Sequence, residues 1–166
     1  MHQVYLSLGS NIQPEPNLLK ALKLLNENGE IRKVSHAWES EAVGSDGPNF
    51  LNSCVLFLTS LLEAELKEQV IHPIEEKLGR KRSADKYAPR TIDIDIVLFD
   101  DQLCNDKFWK QAFVVVPLAE IYPEYRNQQT QERILEAATR LRQQVWMEMR
   151  PEVLSQLDGS SFKAQS

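Results

Sequence analysis

Cysteine is scarce in this chain. Cys54 and Cys104 are the two present, which excludes the disulfide framework of a small secreted scaffold. Cys54 stands in an apolar run and reads as a small packed hydrophobe. Basic charge is short as well. Nineteen Lys and Arg against 24 Asp and Glu leave a net charge of −5, which argues against nucleic acid as a partner, since its binders present broad basic surfaces. No apolar run has membrane-spanning length and no signal pattern opens the chain. No membrane partner is therefore expected, and a reducing, cytoplasmic setting is. Repeats and low-complexity tracts are missing too. What remains is an ordinary globular composition, 42% hydrophobic over 166 residues, enough for one domain with a sizeable core. The domain is expected over residues 1–157, with 158–166 as a frayed tail.

The most informative stretch is Arg90 to Phe99, RTIDIDIVLF. Its strict alternation from Ile92 to Val97 predicts a β-strand with Ile92, Ile94 and Ile96 on one face and Asp93 and Asp95 on the other. Same-face neighbours on a strand sit about 6.5–7 Å apart. Aspartate is depleted in strands, so the pair calls for a reason. A half-exposed strand with a wet face is one. A Mg²⁺ site is the other, because Mg²⁺ takes oxygen ligands, keeps several waters and shares them with substrate phosphates. The segment before the strand, Gly79 to Arg90, holds five cations between a glycine and a proline. Such a run is commonly a solvated face. Placed beside two carboxylates it also suits phosphoryl transfer, with arginines on phosphate oxygens and carboxylates on the metal.

Taken in order, Gln3 to Leu8 predicts a first strand ending at Gly9-Ser10-Asn11. That cluster is either a plain strand exit or a loop facing substrate. Pro14 and Pro16 open a helix whose stripe is Leu18, Leu22 and Leu25, joined by Leu19, and Asn28-Gly29 stops it. Ile31 to about Val43 reads as one long strand carrying a lone His36, which has no partner at ligand spacing. Residues 44–49 form a loop by composition. Phe50 to Thr59 is a third strand. Phe50 and Asn52 share its face, either to stack on and read the edge of a flat heterocycle or to serve the core and tie down the loop. Ser60-x-x-Glu63 predicts a capping box for a second helix, with Leu62, Leu66, Val70, Ile74 and Leu78 buried and a kink at Pro73. Glu75 and Glu76 sit where the helix dipole disfavours acids, a hint of a role near the basic segment. Phe113 to Val116 is expected as a further strand ended by Pro117, followed by a helical turn. A carboxy-terminal helix is expected from about Thr130 to Met149. The order βαββαβ implies a ferredoxin-like α+β sandwich with an added strand and a C-terminal helix, its helices on one face and the other left for ligand.

The pieces LSLGSN, GSDGPNFLN, IEEKLGRKR, APRTIDIDIVLF and FVVVPLAEIYPE, spread over residues 3–124, resemble the 6-hydroxymethyl-7,8-dihydropterin pyrophosphokinase family of folate biosynthesis. The run PRTIDIDIVLF is the most specific of them. The resemblance implies the ferredoxin-like fold and transfer of pyrophosphate from ATP to the pterin hydroxymethyl group, releasing AMP. It implies that Asp93 and Asp95 hold two Mg²⁺ ions. Arg80, Arg82 and Arg90 bind phosphate, with Arg80 and Arg90 weighing most on catalysis. Tyr87 takes the place of an aromatic loop tip, and Glu75 and Ile96 lie on the nucleotide side. Phe50 and Phe113 sandwich the pterin, Asn52 reads its edge, and Val43 lines the same pocket. The partners implied are small molecules, with the chain a monomer or weak dimer.

Three departures stand out. The connection DDQLCNDKFWKQA is shorter than the family's and lacks its Pro-His pair, and Gln111 stands where the family has an arginine. Ala42 replaces a usual proline. A pterin- or nucleotide-binding homologue with little turnover is the alternative these departures raise. A ligand-sensing or RNA-binding module of the same fold is a further one, disfavoured by the acidic balance and the aspartate pair.

Overall fold

The computed structural model describes residues 1–42, 46–80, 90–155 and 157. Strand β1 (His2–Ser10) leads into helix α1 (Pro14–Glu27), then β2 (Glu30–Val34), β3 (Ala37–Ser40) and β4 (Phe50–Thr59). Helix α2 (Glu63–Leu66) passes through a π-helical turn (Lys67–Ile71) into α3 (His72–Lys77). Strand β5 (Asp93–Phe99) turns into β6 (Gln102–Leu103), and a 3-10 helix (Asp106–Lys110) precedes α4 (Ala112–Ile121), α5 (Ile134–Arg142) and β7 (Met147–Arg150). The antiparallel sheet runs β6-β5-β1-β4-β3-β7, with β2 also paired to β4. This is an α+β fold, and the order of β5, β1, β4 and β3 is that of the ferredoxin-like arrangement.

One face of the sheet is closed by α1 and by the α2–α3 helix. Val4, Leu6 and Leu8 of β1, Val55 and Phe57 of β4, and the three isoleucines at 92, 94 and 96 meet the α1 leucines there. The alternation in β1 and β5 therefore does what it predicts, and Pro14 sits in the first turn of α1. Gly29 is required by packing, since a Cβ there would lie 2.3 Å from the Phe57 ring. Pro73 is accommodated by the π-helical turn before it, where the His72 N–H reaches the Lys67 carbonyl, so the helix is interrupted in register rather than ended.

Several expectations are corrected. The long strand 31–43 is two strands. Ser35 interrupts it, its hydroxyl accepting from the Cys54 N–H at 2.9 Å in place of a ladder carbonyl, and the pairing register on β4 shifts between β2 and β3. His36 does have a carboxylate partner: its Nδ1 lies 2.7 Å from Glu120, a contact no local spacing could reveal. The second helix begins at Glu63, and Leu62 N–H donates to Glu65 at 2.9 Å, so the capping lies two residues beyond the Ser60 box and Leu62 is exposed. The stretch 113–116 is helix, not strand. Val114, Val115 and Val116 are all buried, which a helix covered on most sides permits and which overrides valine's strand preference. The added strands are β6 and β7 instead. The C-terminal helix ends at Arg142, and residues 147–150 pair with β3. The second sheet face is not left open along its length, because α4 and α5 cover half of it over Tyr5, Cys54, Leu56 and Val97.

Candidate active site

The uncovered half of that second face is assembled by register. Gly9 of β1 stands opposite Asp93 on β5 and opposite Asn52 on β4, and Trp38 of β3 continues the row. One step along, Ser7 lies between Asp95 and Cys54. Gly9 matters here for close approach: a Cβ would come 3.2 Å from Asn52 Oδ1 and 3.7 Å from the Phe50 ring. Without it the row has an open floor between the carboxylate and the amide.

Asp93 is clamped by two arginines. Arg80 Nη1 donates to its Oδ1 at 2.8 Å and Arg90 Nη1 to its Oδ2 at 2.9 Å. Arg80 also donates to Glu75 at 2.6 Å, and that same Glu75 oxygen accepts the Ile94 N–H at 3.0 Å. Glu75 thus ties α3 to β5 from beneath, at 3% exposure. Burial pushes its carboxyl up from the ordinary range, while the Ile94 N–H and Arg80 pull it down. Arg90 is positioned by a two-way clasp in which its N–H donates to Asn11 Oδ1 at 2.7 Å and its carbonyl accepts the Asn11 N–H at 3.0 Å. Asn11 also donates to the Pro48 carbonyl at 3.3 Å, joining the loop before β4 to the same point.

Asp95 behaves differently. Burial first, and the Asp93 charge second, push its carboxyl up to about 6, while Lys107 and Arg80 pull it down. Two like charges on one face resist joint ionisation, and a cation between them relieves this. Among the described residues no cluster of three or more His, Cys, Asp or Glu stands ready for an ion. The oxygen donors of Asp93 and Asp95 are the pair that can hold one, and each Asp93 oxygen keeps a lone pair beyond its arginine bond.

Asn52 is buried at 3% exposure. Its Nδ2 donates to the Trp38 carbonyl at 3.1 Å and to Ser40 Oγ at 2.8 Å. That leaves Oδ1 as the acceptor directed toward the Gly9 floor. Phe50 and Phe113 are half-buried, with Phe113 in the first turn of α4.

Residues 5–123 match the family described as 7,8-dihydro-6-hydroxymethylpterin-pyrophosphokinase. This chain belongs to that family. A 2-amino-4-hydroxy-6-hydroxymethyldihydropteridine pyrophosphokinase of Aquifex aeolicus is 41% identical over 133 residues, 74% of this chain and 82% of that one. The protein of the same name in Bacillus subtilis is 38% identical over 138 residues, 76% and 81% of the two chains. Among solved structures, the wild-type HPPK-DHPS protein of Plasmodium falciparum with pteroate superposes at a TM-score of 0.65 and 14% identity. The overlap covers 86% of this chain and 43% of that one, so this chain spans under half its length, and the likeness bears on the fold. The family and the names of its members indicate pyrophosphoryl transfer from ATP to hydroxymethyldihydropterin in folate synthesis.

The structure brings Glu75, Arg80, Arg90 and Asp93 into one hydrogen-bonded group, with Asp95 beside it on the same strand face. Asn52 lies across Gly9 from Asp93. Ile96 is not among them, since its side chain is buried at 4% exposure in the core beneath the opposite face. Val43, Arg82 and Tyr87 lie outside the described residues. Gln111 caps α4 through its main chain, its carbonyl accepting from Val114 and Val115. The clasp of Asn11 on Arg90 is signalled in the sequence only by the Gly9-Ser10-Asn11 cluster, which reads equally as a strand exit. No described helix is long and apolar enough to cross a membrane.

Proposed function

We propose that this chain transfers pyrophosphate from ATP to the hydroxymethyl group of 6-hydroxymethyl-7,8-dihydropterin, using Mg²⁺ held at Asp93 and Asp95. The single observation that carries the reading is the clamped Asp93 beside Asp95, on the half of the sheet face that no described helix covers. The donor set suits the ion: two carboxylates of a hard-oxygen site leave the remaining positions for water and phosphate oxygens. Bound Mg²⁺ neutralises charge on the polyphosphate and on the carboxylate pair. Every other part of the task falls to side chains. Arg80 and Arg90 are held ready for phosphate oxygens by Glu75, Asp93 and Asn11. Asn52 Oδ1 is free for a pterin N–H donor, while Phe50 and Phe113 supply the stacking planes.

In the reaction, the pterin hydroxyl oxygen forms a bond to the β-phosphorus. The bond from that phosphorus to the oxygen bridging to the α-phosphate breaks, AMP leaves with that oxygen, and the hydroxyl proton passes to solvent. No covalent intermediate on the chain is needed, so catalysis is positioning and charge neutralisation. A cytoplasmic location, small-molecule partners and a monomer or weak dimer complete the reading. So does a single domain over residues 1–157.

The test is AMP release from ATP with and without the pterin, in Mg²⁺ and after chelation. Pterin-dependent AMP that vanishes with the metal is expected. Tight pterin and ATP binding without AMP would replace the reading with that of a binding homologue.

A further inference from the structure

We propose that Arg150 of β7 is a positioning residue for the pterin side of the site: through Glu39 of β3 it holds Asn49, and so fixes the entry into β4 on which Phe50 stands. The inference rests on the functional reading above, in which Phe50 supplies a stacking plane.

The link is a continuous run of contacts. Arg150 donates from Nε and from Nη2 to Glu39 Oε1, each at 2.8 Å. The other carboxylate oxygen, Oε2, accepts from Asn49 Nδ2 at 2.7 Å. The Asn49 amide first, and Arg150 second, hold the Glu39 carboxyl below its ordinary range, so it stays ionised and accepts on both oxygens. Arg150 stands on a strand that is itself fixed from both sheet faces. Met147 is buried in the cluster under α4 and α5. Val153 and Leu154, just beyond β7, are buried in the cluster that holds the α1 leucines. Arg150 lies beyond residues 5–123, the span that matches the family.

Core packing does not hold the chain just ahead of Phe50. Pro48 and Asn49 are exposed, and a hollow of about 440 Å³ lies between Glu41, Ala42, Asp46, Gly47 and Asn49 on one side and Trp146 on the other. Polar contacts fix this stretch instead. Asn11, which clasps Arg90, donates to the Pro48 carbonyl at 3.3 Å, and Glu39 takes Asn49. Phe50 follows directly, opposite Ser40 in the sheet. Its ring lies 3.7 Å from where a Gly9 Cβ would stand, so it borders the floor onto which Asn52 Oδ1 looks. A shift of the backbone at Asn49 therefore moves the stacking plane relative to Asn52. The group of Arg80, Arg90 and Asp93 has its own ties to Glu75 and Asn11 and does not depend on Glu39. A stacking plane displaced by a fraction of an ångström loses binding, and a charge-assisted brace from a rigid strand prevents this.

The test compares Arg150→Met and Asn49→Ala, singly and together, with Arg150→Lys and with Glu148→Gln. Glu148 is the other carboxylate on Arg150, at 3.1 Å, and takes no part in the link to Asn49. Binding of the pterin and of a non-hydrolysable ATP analogue is followed by calorimetry, alongside steady-state kinetics and a thermal melt. Arg150→Met and Asn49→Ala are each expected to weaken pterin binding and raise its KM roughly three- to fivefold, the reach of a partly exposed ion pair, with analogue affinity unchanged. Because both act through Glu39, the double variant should lose no more than the weaker-binding single variant. Arg150→Lys keeps the charge and should recover part of the loss, and Glu148→Gln should show none. Unchanged pterin affinity in both single variants overturns the inference. So do losses that multiply in the double variant, an equal loss in Glu148→Gln, or a parallel loss of analogue binding, which marks a general loosening. If Arg150→Met does not fold, Arg150→Lys and Asn49→Ala decide the matter with β7 in place. A wild type that neither binds the pterin nor releases AMP overturns the functional reading and this inference together. A wild type that does both, matched by Arg150→Met and Asn49→Ala, overturns the inference alone.

Discussion

The second face of the sheet has two halves built from the same strands. Toward one end β1, β4 and β5 present Tyr5, Leu56, Val97 and Leu98, all buried under α4 and α5. Toward the other they present Gly9, Asn52, Asp93 and Asp95, with Asp93 keeping 22% of its side-chain surface. The change comes within four residues on each strand, and within two on β5, from Val97 to Asp95. The β1–β5 register shifts at the boundary, between Tyr5 and Leu6, and helices α4 and α5 cover the side beyond it. Where the cover stops, desolvation stops being complete, and ionisable side chains can be kept on a strand at a tolerable cost. The cost has not vanished, and it is recorded in the raised carboxyls of Asp95 and Glu75.

The sharpest way to break this comparison is to make the site half apolar. Asp95→Ala is expected to cut AMP release by about a thousandfold or more, the scale of losing a metal or charge-stabilising group. It should leave the melting temperature equal or higher, because a desolvated charge has been removed. An assay paired with a thermal melt checks both. Activity within tenfold of wild type would show that the carboxylate pair is not the metal site.

A smaller effect separates buried from half-open charge. Arg80→Ala removes a cation that is 15% exposed and bridges Glu75 and Asp93, and should cost roughly 3–4 kcal/mol of stability in denaturant titration. Arg90→Ala, which loses a more exposed pair at 27% exposure, should cost under about 1 kcal/mol. Equal costs would mean that the two arginines occupy like environments, contrary to the geometry.

The pH response of Asp95 sharpens the comparison further. Its carboxyl is raised from 3.8 to about 6 in the folded state, so between those values the folded chain binds more protons than the unfolded one. Its contribution is complete below the unfolded value and is lost as pH rises through the folded value. Without metal, stability should therefore fall by about 2–3 kcal/mol from this group between pH 4 and 6. The difference between wild type and Asp95→Asn isolates the slope. Mg²⁺ should flatten it by binding the ionised form, and a slope that survives in Asp95→Asn would have to come from other groups.

A further effect lies at the boundary between the halves. Phe113 opens α4 and is half-buried, so part of its ring serves the covered core and part is available for ligand. Phe113→Ala should weaken pterin binding by about 1–2 kcal/mol with no change in ATP-analogue affinity. Calorimetry with each ligand in turn distinguishes this from a general loosening of α4, which would lower both.

What the sequence determined by itself is what depends on near neighbours along the chain. The alternation at residues 92–97 set which isoleucines enter the core and which aspartates leave it, because the strand repeat is two. Asn28-Gly29 ended α1, and Pro73 interrupted its helix, for reasons written within a turn of each residue. The motif PRTIDIDIVLF also carried the resemblance to the family that residues 5–123 match. What only the tertiary structure decided depends on partners far away in the chain. Three consecutive valines became helix because α4 is buried on most sides, and burial outweighs their strand preference. Residues 147–150 became a strand because β3 offered an unpaired edge. Glu120 reached His36 from 84 residues away, and Asn11 reached Arg90 from 79. Local periodicity fixes the direction in which a side chain points, but only packing between distant segments fixes what it meets there.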